Sequence, residues 1–127
     1  RSARNGGRTG RRGMTVPAIA YKILTGPQRD ALIADRTFAG APIDLADGYI
    51  HLSTSDQVAE TLHKHFTGQD DLWIAAVDLG VLGDHVRWEP SRGGQLFPHI
   101  YAELPLSAVM AQGPVEWRTD GTVRLPA

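Results

Sequence analysis

The chain is 127 residues long, enough for one domain and too short for two. With 42% hydrophobic and 21% charged residues it has a globular balance, and no apolar run approaches the roughly 20 residues of a membrane-spanning helix, so the sequence reads as soluble. The formal net charge is −1, and the lack of cysteine excludes disulfides, thiolate nucleophiles and cysteine zinc sites and fits a cytoplasmic protein.

Residues 1–13 carry five arginines and no acid among glycine and serine, and read as a disordered basic arm of tag or upstream origin. The single domain then spans 14–127 and is net acidic, near −6, which argues against broad nucleic-acid binding. Ala18 to Leu24 alternates as a strand and runs into Thr25-Gly26-Pro27-Gln28, where threonine and glutamine are spaced for a capping box and proline sits in the first turn. Leu32 and Ile33 give that short helix its apolar face, and it ends before Thr37 to Pro42. Asp44 to Gly48 reads as a turn. Tyr49 to Ser53 then alternates, with Ile50 and Leu52 on the core face and Tyr49, His51 and Ser53 on the other.

Thr54-Ser55-Asp56-Gln57 opens a second helix, with Thr54 as cap and Val58, Leu62 and Phe66 at helical spacing, and Gly68 stops it. Leu72 to Leu79 is a β-rich apolar run, read as a central strand covered on both faces. After a turn at Gly80 to Asp84, His85 to Glu89 is a short strand leading into the loop Pro90 to Gly94. Phe97 to Leu104 alternates again, with Ile100, Ala102 and Leu104 inward and His99, Tyr101 and Glu103 opposite. Short strands at Val109 to Met110 and Val115 to Trp117, with Asp120-Gly121 in a tight turn, close the chain.

Chemistry concentrates on two strands that each set a histidine beside an aromatic, Tyr49-His51 and His99-Tyr101, with Glu89 and its flanking Arg87 and Arg92 between them. Imidazole can donate to a sugar hydroxyl, a carboxylate can stabilise a developing cation, an aromatic face can stack on a flat ring, and arginine can grip phosphate. Each has a plainer reading. His51 can hydrogen-bond a neighbouring loop, Ser53 and Thr54 can cap the helix that follows, Glu89 can be a solvated strand end, and His99 can fix the Phe97-Pro98 bend. His63 and His65 are two apart on a helix and point about 200° apart, and no His-Glu-x-x-His pattern occurs, so no metal site is expected. Glycine-rich dinucleotide, P-loop and nucleophile-elbow motifs are missing too.

Tyr21-Lys22-Ile23, Gly48-Tyr49-Ile50-His51-Leu52-Ser53-Thr54, Arg87-Trp88-Glu89 and Phe97-Pro98-His99-Ile100-Tyr101, in this order, resemble the bacterial domain-of-unknown-function family 952. That family is in turn similar to the ADP-ribosyltransferase superfamily, including the RNA 2′-phosphotransferases. The resemblance implies a cleft in a split, mainly antiparallel sheet that binds NAD or an ADP-ribosylated intermediate. It also implies that Ile50-His51-Leu52-Ser53 matches the histidine strand of the phosphotransferase branch and that Glu89 stands for the carboxylate on a ribose hydroxyl. Tyr21-Lys22-Ile23 departs from the histidine, glycine and threonine usual in the superfamily's first strand.

The expectation is therefore an α+β fold with a mostly antiparallel sheet and two helices. Glu89 and His51 are the candidate catalytic residues, and Lys22, Ser53, Thr54, Arg87, Phe97, His99 and Tyr101 the candidate ligand contacts. The ligand would be a small nucleotide, with NAD as substrate rather than resident cofactor, and the reaction transfer or hydrolysis at its glycosidic bond. A non-catalytic module binding a metabolite or peptide is the alternative. A hydrolase with His51 or His99 as general base has no identifiable nucleophile. The sequence leaves the oligomeric state open.

Overall fold

The computed structural model describes residues 17–126, so the basic arm falls outside the described residues. Strand β1 (Ile19–Thr25) leads straight into α1 (Gly26–Asp35). The join is local chemistry: the Thr25 hydroxyl accepts from the Gln28 N–H at 3.2 Å, and the Gln28 side chain accepts from the Thr25 N–H at 3.0 Å. Gly26 is required here because a Cβ would lie 1.9 Å from Oδ2 of Asp71. β2 (Thr37–Phe38), α2 (Pro42–Asp47), β3 (Ile50–His51) and α3 (Val58–His65) follow. Then come β4 (Leu72–Asp78), α4 (Leu79–Leu82), β5 (Val86–Pro90), β6 (Leu96–Ile100), β7 (Leu104–Pro105) and β8 (Val109–Pro114).

This is an α+β fold, and every strand pairing described is antiparallel. One sheet runs β1-β4-β8, with β4 in the middle as its continuous apolar run demands, and a second runs β3-β6-β5. A short β2-β7 pair stands apart. Among the described residues the backbones of the two larger sheets are joined by an antiparallel bridge, in which Tyr21 and Ser53 exchange hydrogen bonds of 2.7 and 2.9 Å. Alternation then divides the core. Ala20, Leu24, Ala75 and Val77 pack with Ile50, Leu52, Ile100 and Leu104 in the larger cluster, while Ile23 and Ile74 on the other face meet Val58 and Leu62 of α3.

Several expectations need correction. Asp44 to Gly48 is no simple turn but the end of α2, entered at Pro42 and closed by Gly48 at φ 90°, and α2 and α4 bring the helices to four among the described residues. Thr54 does not cap α3, which starts at Val58; its N–H instead donates to the Gln57 side chain, holding a turn before the helix. Ile33 is exposed, lying about 100° round from buried Leu32. Ala102 is exposed rather than inward because β6 ends at Ile100 and the chain bends there.

Candidate ligand site

Register builds the site. His51 pairs with His99 across β3 and β6, and His99 pairs with Arg87 across β6 and β5, so the three residues form one row on the outer face of the second sheet. Glu89 and Phe97 pair with each other one step further on the same face. The two imidazoles lie edge to face, 5.3 Å between centroids. Tyr49, which the sequence places beside His51 but not among the expected contacts, stacks on His99 at 4.1 Å and also touches His51 and Tyr101.

Each histidine is held by carboxylate. Nδ1 of His99 lies 2.7 Å from Oε1 of Glu89, and the Tyr101 hydroxyl donates to the same carboxylate at 2.8 and 3.0 Å. The bonds from His99 and Tyr101 hold the Glu89 carboxyl below its ordinary range, and the Glu89 bond in turn raises the Tyr101 phenol. The His99 ring is enclosed, 3% exposed, whereas the Glu89 side chain keeps 34% of its surface open. Arg87 lies 4.6 Å over the Tyr101 ring and is itself exposed.

The other histidine leads to a residue that sequence reasoning missed. Asp44 is 1% exposed, and its two oxygens accept four hydrogen bonds. Oδ2 takes the Lys22 ammonium at 2.9 Å and the Ala41 N–H at 2.8 Å, and Oδ1 takes the His51 N–H at 3.1 Å and Nδ1 of His51 at 2.6 Å. Nε2 of His51 meets Asp47 at 2.9 Å. One acidic turn of α2 thus clamps the β3 histidine from two sides.

Burial opposes ionisation of Asp44, but the His51 bond and the Lys22 charge and bond, with the Ala41 N–H, outweigh it and lower the carboxyl to about 2. Burial pushes the Lys22 ammonium down, against the pull of Asp44. Because the folded-state value of Asp44 lies below the ordinary 3.8, its ionisation stabilises the fold at higher pH and that share is lost as pH falls toward 2. Unfolding free energy from urea titrations should drop by about 2 kcal/mol between pH 4 and pH 2 through this group, and Asp44→Asn should remove that part of the slope. A wild-type stability that stays flat across that window would contradict the assignment.

The expected contacts therefore separate. His51, Arg87, Glu89, His99 and Tyr101 come together, and Phe97 shares their face. Lys22 does not line the face: it sits between Ala20 and Leu24 on the core side of β1, 6% exposed, and supports β3 from beneath through Asp44 and the His51 carbonyl at 3.1 Å. Ser53 is buried, its hydroxyl 3.0 Å from that of Thr61, and Thr54 stays in its turn, so neither joins the histidine row.

The protein is thus an α+β domain of antiparallel sheets, one of which carries two carboxylate-held histidines on one face. The chain belongs to the family described as "Protein of unknown function (DUF952)", whose model matches residues 23–112. Among solved structures, it is similar to protein CC0527 from Caulobacter crescentus. The crystal structure of that protein is 43% identical with a TM-score of 0.76, covering 84% of this chain and 94% of that one. Its solution NMR structure is 43% identical with a TM-score of 0.71 and the same coverage of this chain, against 91% of that one. No curated protein matches the sequence.

Proposed function

We propose that the histidine face binds a nucleotide of the NAD or ADP-ribose kind and acts at its glycosidic bond, in the manner of an ADP-ribosyltransferase. One observation carries the reading: Glu89 is an ionised carboxylate, fixed by two donors and still a third exposed, beside the aromatic surface of Tyr49 and Tyr101. A carboxylate so held can accept from ribose hydroxyls and stabilise positive charge growing at the anomeric carbon. In the transfer, the C1′–N bond of NAD breaks with its electron pair leaving on nicotinamide. The acceptor oxygen, or water, forms the new bond at C1′ and releases its proton. Arg87 is the cation placed to meet phosphate.

The alternative of a binding module without chemistry gains from the same geometry. His51 is engaged at both ring nitrogens and His99 is enclosed, so neither stands ready as a general base. Calorimetric titration with NAD and with ADP-ribose is expected to give saturable heat, and Arg87→Ala to weaken ADP-ribose by about 3- to 30-fold. Absence of heat with both nucleotides at millimolar concentration would remove the nucleotide reading.

A further inference from the structure

A cavity of about 480 Å³ opens between the end of α3, the segment 66–71, the start of β4 and the residues after β8, and none of its lining residues belongs to the histidine face. That volume lies within the ordinary range for small-molecule sites. Leu62, Leu72, Phe66 and Val115 supply apolar wall, Trp117 adds an indole, and Trp73 borders the cavity from β4 with its ring turned to the Leu24 side of the sheet. Its ionisable lining groups are His63, Asp70 and Asp71, with no lysine or arginine.

The carboxylates differ in what they are free to do. Asp71 accepts from Nε1 of Trp73 at 3.0 Å and packs against Gly26, whereas Asp70 is exposed and has no partner among the described residues. Trp117 is 45% exposed and its ring lies 4.9 Å from that of His63, so a large aromatic surface faces solvent on the cavity rim. The Trp73 ring is already taken by the Arg29 guanidinium, 4.1 Å away, so Trp117 is the indole left open to a ligand.

We propose that this cavity is a second binding site, for a small organic cation with a flat apolar body, an amidinium or ammonium carried on a ring. The ring packs on the apolar wall beside Trp117 and the charge is met by Asp70 and the Trp117 indole. This site is independent of the histidine face and of what that face binds. The chain has three tryptophans, and Trp88, in β5 of the other sheet, is a built-in control. Benzamidinium, titrated against the ¹⁵N-labelled full chain, should shift the indole N–H signal of Trp117 to saturation and leave that of Trp88 in place. Neutral benzamide should bind at least about 3-fold more weakly, Asp70→Asn should weaken benzamidinium by about 2- to 5-fold, and Trp117→Ala should abolish saturation. Both substituted residues are exposed, so the core is untouched. Equal binding of benzamide, unsaturable shifts, or movement of Trp88 alone would overturn the proposal.

Discussion

Asp44→Ala is expected to lower the unfolding free energy by about 3–5 kcal/mol, read from urea titrations followed by circular dichroism at neutral pH. The size follows from what is left behind. Removing the carboxylate strands the buried Lys22 ammonium and orphans the Ala41 N–H, the His51 N–H and Nδ1 of His51 together. A domain of this size holds only about 5–15 kcal/mol in total, so the variant would sit near the edge of folding. A double variant, Lys22→Met with Asp44→Leu, should recover part of the loss because it removes the stranded charge along with its partner. A loss below about 1 kcal/mol in Asp44→Ala would show that the buried pair does not organise this region.

Glu89→Gln should have the largest effect on activity. If the face transfers or hydrolyses at a glycosidic bond, nicotinamide release from NAD, followed chromatographically, should fall by about 100-fold or more, while ADP-ribose affinity changes by less than about 3-fold. The amide keeps the size of the side chain and an oxygen that can accept from Tyr101 or His99, so the geometry persists and only the charge is removed. A binding module behaves differently: it releases no nicotinamide in the wild type, and the substitution alters affinity alone. The two outcomes are exclusive, which makes this the experiment that separates enzyme from binder.

What the sequence made legible followed from short-range rules. The capping box at Thr25 and Gln28, the central strand beginning at Leu72 and the turn at Asp120-Gly121 are each written in a few adjacent residues, and each stands as read. The outer faces of the two histidine strands were legible through period-two alternation, which states which side a residue takes but not which strand lies next to which. Asp44 was hidden for a physical reason. Six residues from Pro42 to Asp47 are too few for a helical period to declare itself, and the acid's value lies in partners 22 residues away in sequence, at Lys22, and across a strand boundary, at His51. Lys22 was read as a ligand contact for the same reason, since a lysine between Ala20 and Leu24 enters the core only when a distant carboxylate receives it. One cue was present: proline at the first helical position and glycine just past the last, the usual asymmetry of helix ends.

The seam at Tyr21 and Ser53 is made wholly of main-chain donors and acceptors. Any residue but proline at those two places can form it, so this joint is indifferent to the side chains carried at Tyr21 and Ser53. Chemistry on the outer leaf can thus be rewritten without loosening this joint, except at His51, whose ring is tied through Asp44 to Lys22 of the other leaf.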